Sequence, residues 1–362
     1  ERFTRTSEKE ISYSATIEHR FEGIEKAFAE GDVDAVFAPV TAWDSTVGYD
    51  STIQIMTAHP DLTALIAGND EVALLTESFT SMRDSLLVHI EELRATTAAR
   101  ERIESELDIA RSIQMSLVPR TFPPFPKDDR IDLFAVLEPA REVGGDFYDF
   151  FMTDANHLLL IIGDVSGKGV PAALFMAVTR SFMKAYSSMN GCASEPEGAE
   201  NGPAALLSAV NDRIIEGNDA CMFVTLFCVS VDLRDGSFRY ACGGHPAPWK
   251  ISGGMVTALP RVKGPLVGAI GGVPFQEGAG VLQPGETLFL FTDGVTEALN
   301  EREELLGDDR VRDWLGDTAS GNPGSEAVVE RMRGRIRTFV GGADQSDDIT
   351  MLALRYCGPS GG

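Results

Sequence analysis

The sequence predicts an α+β chain: a β-sandwich flanked by helices, preceded by a long coiled-coil-like helix and a small α/β segment. Three observations predict it. From Thr76 to Leu117 the chain holds no Gly or Pro and keeps helical spacing of apolar residues. From Ile131 onward the pattern changes to short apolar runs bounded by turn signals. Two long helical stretches then follow one another instead of alternating with strands, which disfavours a doubly wound parallel sheet.

Residues 1–74 are mixed, with helical spacing in Ile17–Phe28 and apolar runs at Val33–Phe37 and Leu62–Ala67. In the long helix, Leu86, Ile90 and Leu93 follow four-then-three spacing, as do Ile103, Leu107 and Ala110. Glu and Arg crowd the remaining positions, and such a stripe is not buried by one helix alone. The expectation is a homodimer through residues 76–117. Pro119, Pro123, Pro124 and Pro126 stop the helix and mark a linker. Strands are predicted at 131–137, 146–152, 157–163, 222–232, 237–243, 247–251, 287–292 and 349–356. Helices are predicted at Pro171–Ser188, Pro203–Glu216 and Ser325–Phe339. Asp235-Gly236 between two apolar runs signals a hairpin, and the polar, Gly-containing stretch Gly191–Gly202 signals a surface loop.

The 362 residues allow two or three domains, and 43% hydrophobic content supplies a sizeable core. The net charge of −24 and a pI near 4.5 argue against nucleic acid or an anionic membrane as partner. Cys192, Cys221, Cys228, Cys242 and Cys357 show no Cys-x-x-Cys spacing. Neither a zinc site nor a disulfide framework is expected, and a cytoplasmic location fits. No run of about 18 apolar residues is present to span a membrane. The chain starts at Glu1, so an upstream segment is expected.

Four aspartates stand in four short motifs. They are Asp146 in Val-Gly-Gly-Asp-Phe-Tyr-Asp (143–149), Asp164 in Ile-Gly-Asp-Val-Ser-Gly-Lys-Gly (162–169), Asp293 in Phe-Thr-Asp-Gly-Val-Thr-Glu (291–297), and Asp347 in Ser-Asp-Asp-Ile-Thr (346–350). Three border apolar runs that read as buried strands: Leu158–Ile162, Leu288–Phe291 and Ile349–Leu354. Carboxylates gathered at the ends of core strands repel one another unless a cation joins them. Hard divalent ions take such oxygen-only surroundings, so a binuclear Mg²⁺ or Mn²⁺ site is expected. With two such ions and no protein nucleophile, the expected chemistry is attack of metal-bound water on a phosphomonoester.

Three nearby residues invite other chemistry. Lys168 lies in a Gly-x₃-Gly-Lys-Gly spacing that lacks the final Ser or Thr of a phosphate-binding loop. Ser166 has no Gly-x-Ser-x-Gly elbow around it. His245, in Gly243-Gly-His-Pro-Ala-Pro248, reads either as a general acid or as a structural histidine fixing its loop.

The motifs as a set resemble a family. Glu106–Pro119, Val143–Asp149, Gly163–Ala173, Phe223–Phe227, Gly243–Pro246, Phe291–Ala298 and Asp347–Thr350 look like the bacterial metal-dependent protein phosphatases of type 2C, in the RsbU/SpoIIE-like branch. The resemblance implies an αββα sandwich over 120–358 with Mn²⁺ or Mg²⁺ between the sheets. It implies Asp146, Asp164, Asp293 and Asp347 as metal ligands and catalytic residues, with the Val165 carbonyl and the adjacent Asp348 as further ligands. The implied substrate is phosphoserine or phosphothreonine on an anti-sigma-factor antagonist. A silent phospho-target scaffold, a ligand sensor and a small-molecule phosphatase are the rival readings.

Asn69–Met82 is similar to the second half of a HAMP signalling module, with Ala73 where that family prefers Gly. The stretch 75–119 is accordingly expected to be a HAMP-like signalling helix. Arg20–Phe28 and the run from Ala42 to Ala73 look like part of a type 1 periplasmic-binding or LacI-type sensor, so residues 1–74 read as a truncated α/β piece. Trp43 and Asp70 sit where a sugar contact would be sought, and read instead as packing and turn residues.

Overall fold

A computed structural model of the chain describes residues 2–7, 10–14, 70–190, 202–319 and 321–359. The chain divides into two compact units, 1–102 and 103–362. In the first unit, β1 (Arg2–Ser7) pairs antiparallel with β2 (Glu10–Ser14). Residues 15–69 of the sensor-like segment, Trp43 included, lie outside the described residues.

Helix α1 spans Asp70–Leu117, starting six residues before the Thr76 expected from the sequence. Asp70, weighed as a sugar contact, is its first residue, and the HAMP-like stretch falls on its opening turns. Leu86, Ile90, Leu93 and Ile103 are all exposed in the single chain. Leu107 and Ala110, from the second spacing set, are half-buried, and Leu87 and Val88, off that spacing, are exposed as well.

The second unit is a sandwich of two five-stranded antiparallel sheets. The first sheet orders β10 (Glu277–Val281), β7 (Ser237–Gly243), β6 (Val224–Asp232), β5 (His157–Val165) and β4 (Phe147–Met152). The second orders β3 (Ile131–Glu138), β12 (Ile349–Tyr356), β11 (Thr287–Phe291), β8 (Trp249–Ser252) and β9 (Met255–Ala258). Helices α2 (Val170–Asn190) and α3 (Pro203–Ile215) cover the first sheet; α5 (Gly307–Ala319) and α6 (Ser325–Val340) cover the second. A single turn, α4 (Asp293–Thr296), follows β11.

Strand alternation builds three apolar layers. Leu158, Leu160 and Ile162 of β5 face Leu288, Leu290, Leu352 and Leu354 across the sandwich. The alternate residues Leu159 and Ile161 face outward and meet Met176 and Met183 of α2 and Leu207 and Val210 of α3. On the far side Phe289, Met351 and Ala353 meet Val311, Leu315, Val329 and Met332 of α5 and α6. With helices on one face and the second sheet on the other, β5 reads as a continuous apolar run because both of its faces are covered.

All eight predicted strands and the three predicted catalytic-region helices are present. The β6–β7 hairpin turns at Gly236, whose φ of 77° favours glycine and whose Cβ would meet Leu282 O at 2.1 Å. Missed were β1, β2, β9, β10, α4 and α5. The last turns of α1 also belong here: Val118 is buried and Met115 packs on the sandwich core. The compact unit thus reaches back past the linker at which the sequence reading begins the phosphatase domain. Leu160 is fully buried between the sheets, so Leu160→Ala should cost about 2–5 kcal/mol. Urea denaturation measures it, and a loss below about 1 kcal/mol would show that the sandwich layer is looser than its burial indicates.

Candidate metal centre

The antiparallel register brings the four motifs to one end of the sandwich. Asp146 directly precedes β4 and Asp164 is the penultimate residue of β5, both in the first sheet. Asp293 opens α4 straight after β11, and Asp347 and Asp348 directly precede β12, both in the second sheet. In the second sheet Phe291 pairs with Met351, which sets these acidic ends side by side. Asp164 feels the charges of Asp293, Asp347 and Asp348, so acids from both sheets share one neighbourhood.

Asp146 is buried and tied to the other sheet. Its Oδ2 accepts from Thr292 Oγ1 at 2.7 Å and from Thr350 Oγ1 at 2.5 Å. Thr292 is itself fixed by the backbone N–H of Thr350, which donates to its Oγ1 at 3.1 Å. Asp348 closes the junction from the other direction. Its Oδ1 accepts from Ala140 N at 2.8 Å, and its Oδ2 from Gly145 N at 2.9 Å and Asp146 N at 3.4 Å. Both oxygens of Asp348 are therefore engaged by backbone amides.

Two glycines make this approach possible. A Cβ on Gly145 would stand 2.7 Å from the Val165 carbonyl oxygen and 3.2 Å from Asp164 Oδ1. A Cβ on Gly294 would stand 2.0 Å from the Asp348 carbonyl oxygen. Gln114, near the end of α1, pins the same turn: its Nε2 donates to Gly144 O at 2.6 Å while Gly144 N donates to its Oε1 at 3.1 Å.

Burial and like charge act together on the acids. Burial first, then Asp164 and Asp348, push the Asp146 carboxyl well above its usual range, against the pull of Thr350 and Thr292. Burial, then Asp293, Asp347 and Asp348, push Asp164 up to about 7. Asp293 is raised by burial and then by Asp347. The charge of Lys168 opposes this at Asp293, and its Nζ stands 3.1 Å from Asp347 Oδ1.

Among the described residues no three His, Cys, Asp or Glu side chains stand gathered as a ready ion-holding set. Their oxygens are directed instead at threonine hydroxyls, backbone amides and Lys168. The donor chemistry nonetheless suits a hard divalent cation: oxygen only, buried, and in excess of nearby positive charge. The residues present fit such an ion.

Other singled-out residues have different work. The buried His245 shares a 2.9 Å contact between its Nδ1 and Thr225 Oγ1, and burial lowers its pKa to about 3. The histidine is thus held toward its neutral form. Ser166 ties its loop to Phe223, whose N–H donates to Ser166 Oγ at 3.0 Å. Asp149, from the same motif as Asp146, turns away to pair with Arg180 of α2 at 2.8 Å. Thr292, Thr350 and Gln114 were missed by sequence reasoning. The two threonines sit inside the quoted motifs, next to Asp293 and two residues after Asp348, and that adjacency was the available signal.

Two antiparallel sheets between helix pairs, with acids from both sheets at one end, define a protein phosphatase domain of type 2C. The SiaA-PP2C domain of Pseudomonas aeruginosa has the same fold, with a TM-score of 0.61 at 26% identity, covering 72% of this chain and 99% of that one. Protein IcfG of Synechocystis sp. is 32% identical over 302 residues, 79% of this chain and 46% of that protein. Phosphoserine phosphatase RsbU of Bacillus subtilis is 30% identical over 213 residues, 58% of this chain and 59% of that protein. The chain thus spans about half the length of these two relatives. The family described as Stage II sporulation protein E (SpoIIE) matches residues 154–356, and the chain belongs to it.

A raised carboxyl pKa in the folded state has a defined effect on stability. The unfolded chain releases the Asp164 proton near the ordinary value of 3.8, whereas the fold holds it to about 7. The penalty for ionising the group grows between those values and levels off above about 7. Asp164→Asn removes it. In metal-free buffer this variant should melt higher than wild type at pH 8, by at least about 2–4 °C, with a smaller gain at pH 5. Equal gains at both pH values, measured by thermal denaturation, would contradict charge repulsion as the cause.

Proposed function

We propose that the chain is a metal-dependent protein serine/threonine phosphatase that hydrolyses phosphoserine or phosphothreonine on a regulatory protein of the anti-sigma-factor-antagonist type. The observation that carries this reading is the convergence of buried, mutually repelling carboxylates from two sheets at one end of a type 2C fold. The relative named as a phosphoserine phosphatase supports the substrate class.

In this reading Asp146, Asp164, Asp293 and Asp347, with the Val165 carbonyl, hold two Mn²⁺ or Mg²⁺ ions. When bound, such ions lower the pKa of water and neutralise phosphoryl oxygens during in-line displacement. The chain's own residues do the rest. Thr292 and Thr350 fix the orientation of Asp146. Asp348, a further ligand candidate, holds Gly145 and Asp146 in place through its amide contacts. Gly145 and Gly294 keep the approach open.

The division into a sensor-like segment 1–74, a signalling helix 75–119 and a phosphatase domain 120–358 is part of the same proposal. So is a homodimer through 76–117, which would cover the exposed Leu86, Ile90 and Leu93. A shift or twist of that helix would reach the acids through Gln114 and Gly144. Among the described residues no helix is long and apolar enough to cross a membrane. We place the domain on the cytoplasmic side, where its thiols would stay reduced.

Turnover of p-nitrophenyl phosphate and of a phosphoserine peptide, with Mn²⁺, with Mg²⁺ and with EDTA, tests the reading. Activity should need metal and fall at least about a thousandfold in Asp293→Ala, while circular dichroism stays native. Full activity in that variant would remove Asp293 from the site, and bound metal without turnover would favour a scaffold. For the dimer, Leu93→Glu should convert a sedimenting dimer to monomer. A wild-type chain that sediments as monomer would sink that part of the proposal.

A further inference from the structure

Lys168 brings a positive charge into the acid cluster, and the role proposed above leaves it unused. Its Nζ donates to the Ser346 carbonyl at 2.7 Å and stands 3.1 Å from Asp347 Oδ1. Its charge also acts on Asp293 and Glu297. An ammonium group so placed occupies a carboxylate that the metal reading assigns to a divalent ion. Two cations have a claim on the same carboxylate.

The local backbone suits a side chain that leaves. Gly167 and Gly169 flank Lys168 with φ of 91° and 81°, and a Cβ on either would meet nothing within 4 Å. The loop is anchored on either side of Lys168. Ser166 N donates to Phe223 O at 2.8 Å, and Ala173 N donates to Gly169 O at 3.1 Å in the first turn of α2. Between two fixed points the lysine stands on a Gly-Lys-Gly bridge in open space, 38% exposed. Its Ser346 contact is to a backbone oxygen and its Asp347 contact is at the surface, so neither is held by burial.

We propose that Lys168 is an internal counter-ion that occupies Asp347 in the metal-free protein and competes with the divalent cation for it. The inference rests on the metal-site reading and adds a residue to it. Without metal, the ammonium relieves part of the repulsion among the acids. On metal binding it leaves Asp347 and swings outward on its glycine bridge. Lys168 thereby weakens metal affinity while stabilising the empty site, two effects of opposite direction from one charge.

Mn²⁺ binding to the full chain, followed by electron paramagnetic resonance, is the test. Lys168→Gln should bind Mn²⁺ about fivefold more tightly than wild type, the scale of one partly exposed ion pair. It should also melt lower than wild type in EDTA, whereas Lys168→Arg should match wild type in both. A variant-free measurement stands beside it: acetylation of Lys168, read by peptide mass spectrometry, should speed up on adding Mn²⁺. Mn²⁺ bound equally by wild type and Lys168→Gln, or acetylation of Lys168 unchanged by the ion, would overturn this inference and leave the metal reading intact. No Mn²⁺ binding by wild type at all would overturn both.

Discussion

Several carboxylates that repel one another are held close together, Asp146 and Asp348 among them buried, and most of the architecture around them serves that constraint. Leaving them uncompensated would cost more than any single contact in the domain returns. The fold answers with neutral donors at fixed positions. Thr292 and Thr350 reach Asp146 from the opposite sheet, while Asp348 is clasped by three backbone amides. The strands themselves are ordinary; their ends are where the difficult chemistry is held. Helix pairs on both faces bury the strands fully, and that burial gives the acids their low-dielectric setting.

This arrangement explains why one residue pair in a motif can diverge in role. Asp146 and Asp149 are three apart, but a strand begins between them. Asp149 falls on the face of Phe147, under α2, where Arg180 meets it. Asp146 stays at the strand mouth beside Asp164. Asp347 and Asp348 likewise divide. Adjacent residues entering a strand point to opposite sides, so one carboxylate engages backbone amides and its neighbour meets Lys168.

Much of this was legible in the sequence because it rests on short-range signals. Apolar runs such as Leu158–Ile162 and Leu288–Phe291 mark strands that both sheet faces bury, and each carries an acid within a residue or two of its end. What escaped depended on partners far away in the chain. Strand β10 reads Glu-Gly-Ala-Gly-Val and shows no strand periodicity. Its glycines are needed because rings cover them: a Cβ on Gly278 would lie 2.2 Å from Tyr240 Cζ, and one on Gly280 2.4 Å from Phe238 Cζ. Helix α5 opens on Gly307 and is mostly polar, with Val311 and Leu315 carrying its burial. The roles of Gln114, Thr292 and Thr350 are contacts over 30 to 204 residues of chain, which no local pattern encodes.

The division of the acids between two sheets also bears on how the domain comes into being. Asp146 and Asp164 belong to one sheet, Asp293 and Asp347 to the other, and the sequence separation from first to last spans most of the domain. A partly synthesised or partly assembled chain carries one half of the cluster with nothing opposite. The complete set exists only once β12 has slotted between β3 and β11. Assembly of the cluster is thereby tied to that one pairing event, so that a polypeptide in which β12 has not docked holds only part of its acids.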